Sequence, residues 1–320
     1  MSPKERFLCA LAGERPEVVP WGEMQIESRL RNSLAGRFEP GACLDASLGL
    51  SHVLCMGPYY PPGFIEKQGD VRVGLLQKRK DLERIVFPDP TDDTFYAAAR
   101  QTLESAPPGV AVGVATDPGA GAAFQSMGVE GFSYALADDP EFVAEVFRRY
   151  GEWSAEVHTR LCRMGFDFIW AGGDIAYKTA PFFSPQVFRE IILPALRPAA
   201  EAITLPWIYH SDGNLIPILD DLLSLGMNAL HPFETGAMDM AAVKRRYGKS
   251  LCVVGNLDMD LLIRGTPEQN AAETKRLLRE FAPGGGYIFS SSNTLSYGVR
   301  AENVLAVSRV IKGQESKGIS

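Results

Sequence analysis

Short apolar runs separated by stretches of helical period dominate the pattern of this chain. From residue 110 onward the runs fall at 110–115, 166–171, 205–209, 228–231, 251–255 and 287–290, each of the length of a buried strand. Between them lie amphipathic stretches at 139–163, 216–225, 240–247 and 266–281, one that begins at Ser184-Pro185, and a last one at 301–312. Thr266-Pro267-Glu268-Gln269 is a capping box with Pro at its first helical position. Ser2-Pro3-Lys4-Glu5 repeats that signature and opens a helix that ends near Gly13. Residues 18–25, interrupted by Pro20, and residues 48–56 read as two further strands. Gly57-Pro58-Tyr59-Tyr60-Pro61-Pro62-Gly63 is a loop, and a period of two over 64–80, around Gly69-Asp70, predicts an inserted hairpin.

Strands alternating with helices imply a parallel sheet with helices outside it. Eight strand–helix units close into a barrel. The expected fold is therefore α/β: a single-domain (β/α)8 TIM barrel over residues 1–320, with the hairpin in its N-terminal third. An open doubly wound sheet is the alternative, but the glycine-rich dinucleotide loop that usually follows its early strand is missing from the sequence.

Composition narrows the function classes. With 46% hydrophobic and 22% charged residues the chain can bury a large core. A net charge of −7 leaves no basic excess to neutralise phosphates, so no nucleic-acid partner is expected. Cysteines at 9, 43, 55, 162 and 252 are odd in number and lack Cys-x-x-Cys spacing, which favours reduced thiols in a cytoplasmic protein. The first thirteen residues lack the apolar core of a signal peptide, and no uncharged stretch reaches the length of a membrane span.

In such a barrel the chemistry sits at the C-terminal ends of the strands. Six successive runs end in polar groups: Asp117, then Gly172-Gly173-Asp174, His210-Ser211-Asp212-Gly213-Asn214, His231-Pro232-Phe233-Glu234, Asn256 with Asp258, and Ser290-Ser291-Ser292-Asn293. His210 and Asp212 alternate, so both can face one mouth, and Glu234 follows the next strand. An imidazole and two carboxylates suit a divalent metal with open positions. The same three suit general acid–base work, with a carboxylate orienting the imidazole. A capping role for Asp212 near Ile216 is the competing structural reading. Asp174 joins the catalytic candidates, or is a turn residue. Trp170, Tyr177, Phe182 and Phe183 surround it, as an apolar wall for a ligand or as plain core. Tyr177, Phe182, Trp170, Asn256, Asp258 and Ser291 are the substrate-binding candidates. His231 reads as a core histidine, His158 as a surface one, and His52 is ambiguous.

The chain resembles the uroporphyrinogen decarboxylase superfamily. The motifs are Lys4-Glu5-Arg6 to Pro16-Glu17-Val18-Val19-Pro20-Trp21, Ser184-Pro185 to Leu193-Pro194, His210-Ser211-Asp212-Gly213, Pro232-Phe233-Glu234, Gly255-Asn256-Leu257-Asp258, Gly285-Gly286-Tyr287-Ile288 and Glu302-Asn303. The resemblance implies a (β/α)8 barrel. Two departures bear on the reaction. Where the decarboxylase carries carboxylate-binding arginines after its first strand, this chain reads Trp21-Gly22-Glu23-Met24-Gln25. Where the thiol-methylating branch binds zinc through His-x-Cys and a later Cys, this chain has His210-Ser211-Asp212 and Ser290-Ser291-Ser292. What remains is similar to the substrate-side methyltransferases. These demethylate a small methoxylated or methylated compound (O-demethylation) and pass the methyl group to the cobalt of a separate corrinoid protein. On that resemblance the expected partners are a corrinoid (cobalamin-carrying) protein and such a substrate. Zinc at His210, Asp212 and Glu234 is the candidate cofactor, and assembly with further copies of the chain stays open. A uroporphyrinogen-type decarboxylase and a non-catalytic ligand-binding barrel are the rival readings.

Overall fold

A computed structural model describes residues 1–68 and 71–314. Seven strands form one parallel sheet: β1 (His52–Cys55), β2 (Ala111–Thr116), β3 (Phe168–Gly172), β4 (Trp207–His210), β5 (Ala229–His231), β6 (Cys252–Leu257) and β7 (Tyr287–Ser291). Their order in space is their order in the chain, with every neighbouring pair parallel. Each helical connection thus returns the chain one strand further along a curling sheet.

The strand expected at residues 18–25 is reduced to a single bridge between Trp21 and Phe289. Phe289 N donates to Pro20 O at 3.0 Å and Gly22 N to Phe289 O at 2.9 Å, so this segment pairs with β7. On its other side Ser51 N, just before β1, donates to Trp21 O at 2.9 Å. The ladder stops there for a chemical reason. Pro20 has no N–H to offer, and Glu23 N donates to a side chain, His52 Nε2, at 3.1 Å.

Two apolar cores flank the sheet. Inside the curl, Phe168, Trp170, Ile208, Val254 and Ile288 meet Phe7, Ala10 and Leu11 of the first helix, Pro3–Leu11. That helix starts at the capping box expected on Ser2 and places Phe7 4.8 Å from Phe168 and 5.0 Å from His52, ring centre to ring centre. Around Gly113 the interior is tightly packed. A β-carbon on Gly113 would lie 2.3 Å from Phe168 Cζ. Gly113→Ala is expected to cost about 1–3 kcal/mol by overpacking, measured as a lower denaturant midpoint. An unchanged midpoint would mean the ring can move aside.

The outer core lies between sheet and helices. Pro140–Leu161 is capped by Asp139, Pro267–Phe281 carries the Thr266 capping box, and Met240–Tyr247 and Ala301–Lys312 match the periodicity. The helix Ala120–Asp138 is broken at Gly128; its first half is buried on nearly all sides while its second half exposes Val129 and Tyr134, so no single apolar stripe runs its length. The predicted hairpin is present as Ile65–Gln68 paired antiparallel with Val71–Gly74, and its expected turn at Gly69-Asp70 lies outside the described residues.

His158 corrects its expected surface position. It is fully buried, with Nδ1 2.8 Å from Ala199 O and Nε2 3.1 Å from Thr116 Oγ1, and burial lowers its pKa to about 4. The five cysteines are unpaired, and among the described residues no helix is long and apolar enough to cross a membrane.

Candidate active site

The C-terminal ends of β3 and β4 bring three ligating groups together. Asp174 follows the Gly172-Gly173 end of β3, and His210 closes β4 two residues before Asp212. One ligand atom from each of Asp174, His210 and Asp212 falls within 4.8 Å of the others. His210 Nε2 lies 3.7 Å from Asp174 Oδ1 and 3.8 Å from Asp212 Oδ1. Asp174 Oδ1 accepts the Asp212 backbone N–H at 3.0 Å, which locks the two loops to each other. Asp212 Oδ2 accepts from Asn293 Nδ2 at 2.7 Å, while its Oδ1 is buried with no hydrogen-bond partner. Burial, and then the charges of Asp174 and Glu234, push Asp212 up to about 7. Burial also lowers His210, which favours the neutral imidazole.

The second histidine sits behind the first. His210 Nδ1 and His231 Nδ1 are 2.7 Å apart, so one donates and the other accepts. His231 also hydrogen-bonds the Asn293 backbone and is held well below the usual histidine range, chiefly by burial and next by His210. With a ring N–H of His231 given to Asn293, its Nδ1 accepts from His210 Nδ1–H. The Nε2 lone pair of His210 then points toward the two aspartates. From the sequence His231 reads as core; the structure keeps it buried but makes it the orienting partner of His210.

The other expected site residues divide. Glu234 stands outside the three-residue cluster that could hold a cation, in which Asp174 is the third member, and its Oε2 accepts Gly213 N at 2.8 Å. Trp170 is fully buried and meets His231 edge-on at 5.0 Å, so it is no part of an open ligand wall. Its direction follows from strand alternation, which turns it into the curl. Ser291, expected as a substrate contact, is buried, with its hydroxyl set against Glu23 and the Asn293 carbonyl. Asp258 caps the helix Met259–Arg264 and lines an opening shared with Glu234, Ser292 and Asn293. Asn256, next to last in β6, has its buried Oδ1 unpartnered. Tyr177 is half exposed on a short hairpin and stacks on Phe182 at 6.1 Å, which stacks on Phe124 at 4.5 Å. Phe183 is buried against Phe188 at 5.8 Å.

His210 and Asp174 open into a cavity of about 280 Å³ lined also by Met24, Tyr60, Asp117 and Gln125. Asp117 Oδ1 accepts Gly119 N at 2.6 Å at the start of the Ala120–Asp138 helix. Burial pushes it up to about 7, with Asp174 adding repulsion. A β-carbon on Gly173 would come within 2.8 Å of that oxygen, so the glycine is what allows the close approach. The cavity wall holds two carboxylates and, among the described residues, neither Lys nor Arg.

Residues 64–314 match the family model described as Uroporphyrinogen decarboxylase (URO-D), most of the chain. The chain belongs to the uroporphyrinogen decarboxylase family. A uroporphyrinogen decarboxylase of Sodalis glossinidius is 24% identical over 336 aligned positions, covering 89% of this chain and 90% of that protein. A methylated-thiol–coenzyme M methyltransferase of Methanosarcina mazei is 28% identical over 135 residues, 42% of this chain; the chain spans only 35% of that relative's length. Among solved structures, a methyltransferase from Methanosarcina mazei superposes with a TM-score of 0.75 over 98% of both chains at 20% identity, a likeness of fold. The relatives thus carry two different activities in their names, decarboxylase and methyltransferase.

Proposed function

We propose that this chain is a methyltransferase that moves a methyl group from a small methoxylated or methylated substrate to the cobalt of a separate corrinoid protein. Its body is read as one (β/α)8 barrel over residues 1–320, with residues 20–22 as the eighth staves' remnant between β7 and β1. The observation that carries the reading is the convergence of three acceptors, the His210 Nε2 lone pair, Asp174 and Asp212, whose buried Oδ1 has no hydrogen-bond partner. Such a constellation calls for a cation or a proton. Its oxygen and imidazole donors fit zinc or a similar divalent ion with an open coordination position. A cation held by Asp174, His210 and Asp212 would act as a Lewis acid on the departing oxygen.

The protein's own groups do the rest. His231 fixes the ring of His210, Asn293 fixes the carboxylate of Asp212, and Asp174 ties the two loops. Demethylation breaks the carbon–oxygen bond, the methyl group leaves toward cobalt without the bonding pair, and the oxygen retains that pair. With no cation bound, burial pushes Asp212 up to about 7, and it would then supply a proton to that oxygen in place of the Lewis acid. The small, arginine-free cavity argues against a polyanionic tetrapyrrole, which would meet Asp117 and Asp174 where it needs cations. The five unpaired cysteines agree with a cytoplasmic setting.

Decarboxylation remains the second reading, on the strength of the near full-length match to a uroporphyrinogen decarboxylase. Anaerobic incubation of the purified protein with methoxylated aromatic and aliphatic ethers and free cob(I)alamin separates them. Methylated corrinoid is the expected product. Its absence with every ether, together with consumption of uroporphyrinogen, would replace the methyl-transfer reading by the decarboxylase one.

A further inference from the structure

Ser291 has one hydroxyl proton and two neighbours that both call for it. Its Oγ lies 2.6 Å from Glu23 Oε2 and 2.8 Å from the Asn293 carbonyl oxygen. A hydroxyl donates once, so an ionised Glu23 would leave acceptor against acceptor at one of these contacts. The other carboxyl oxygen is already supplied: Glu23 Oε1 accepts from Trp21 Nε1 at 2.8 Å and from Ser291 N at 2.9 Å. One arrangement satisfies every atom. Glu23 Oε2 carries a proton and donates it to Ser291 Oγ, and Ser291 donates to the Asn293 carbonyl.

We propose that Glu23 is kept as a neutral carboxylic acid and serves as a positioning residue, holding Asn293 in place through Ser291. Asn293 is where the two halves of the site meet. Its side-chain amide holds Asp212 at 2.7 Å, and its backbone bonds His231, which orients His210. Glu23 itself touches none of Asp174, His210 or Asp212 within the hydrogen-bond chain. It is 3% exposed, and burial pushes its carboxyl up to about 7 against the hydrogen bonds it receives. The groups around it bring no opposing cation. His52 Nε2 accepts the Glu23 N–H and is therefore unprotonated there, with its pKa lowered to about 4 by burial. Ser290 Oγ stands 3.4 Å from both Glu23 Oε2 and His231 Nε2. Arg31, which lines a cavity of about 120 Å³ beside Glu23, is paired with Asp45 at 3.0 Å.

This inference rests on the hydrogen-bond geometry and not on the methyl-transfer reading, so the two can fail separately. The experiment uses the full chain and the variants E23Q and S291A. A glutamine reproduces the neutral acid: it accepts at one end and donates to Ser291 at the other. Infrared difference spectra of wild type minus E23Q near pH 6 are expected to hold a protonated-carboxyl band that fades as pH rises, the absorption of Asp117 and Asp212 cancelling between the two proteins. An acid whose proton is held more tightly folded than unfolded loses stability as pH rises between its unfolded value, near 4.5, and its folded value, about 7. E23Q is therefore expected to gain in Tm over the wild type across that window and to keep the gain above it. Nitrogen-15 spectra of the histidines should show one tautomer for His210 in the wild type and in E23Q, and a mixture in S291A. The proposal is overturned by an E23Q spectrum identical to wild type near pH 6. A lower Tm for E23Q near pH 8, or unaltered histidine tautomers in S291A, would overturn it equally.

Discussion

Replacing His210 with alanine is expected to abolish divalent-cation binding at the proposed site and to lower methyl transfer by at least about a hundredfold. The imidazole is the neutral ligand of the cluster, and its Nε2 is the atom that faces both Asp174 and Asp212. Without it two carboxylates are left to share the position, one of them already pushed toward the protonated form. Elemental analysis of the wild type and of His210→Ala decides the matter. About one equivalent of zinc in the first and none in the second would support Lewis-acid activation. Metal-free protein in both, with turnover lost only in the variant, would assign the same residues to proton transfer. A variant that keeps both metal and turnover would refute the site. Circular dichroism of the variant guards against simple unfolding, because His231 loses its Nδ1 partner in the same step.

The largest stability effect is expected at Trp170→Ala, about 3–5 kcal/mol. The indole is fully buried inside the curl, 5.0 Å from His231, 5.6 Å from His52 and 6.4 Å from Phe168. Its Nε1 has no hydrogen-bond partner, so the loss is one of packing alone. Trp170→Phe keeps an aromatic ring in the same place and is expected to cost much less. A denaturant midpoint that falls strongly for alanine and weakly for phenylalanine, with an unchanged slope, would establish this. Equal, small shifts would show that the interior collapses around the gap.

The residues that announce themselves in the sequence are those whose role is local. The apolar runs before Asp174, His210 and Ser290 become β3, β4 and β7, because a buried parallel strand needs only a short apolar segment and a polar stop. The Ser2 and Thr266 boxes cap helices within four residues of themselves. Residues 18–25 show the opposite case. Their apolar content suits a strand, but Pro20 and the capture of Glu23 N by His52 leave only the Trp21 bridge. Asp258 has the composition of a ligand and the geometry of a cap. Ser291 has the position of a ligand, yet its hydroxyl is committed inward.

Strand periods, helix caps, the hairpin and the polar strand ends were thus legible in the chain itself, since each depends on neighbours a few residues away. The choice of Asp174 over Glu234, the pairing of His210 with His231 across 21 positions, and the contact of Glu23 with Ser291 across 268 positions were not. Each of these depends on how far the sheet curls and on which side chain another strand end delivers into the same few ångströms. Burial then sets the protonation of whatever meets there, and no local window of sequence carries that information.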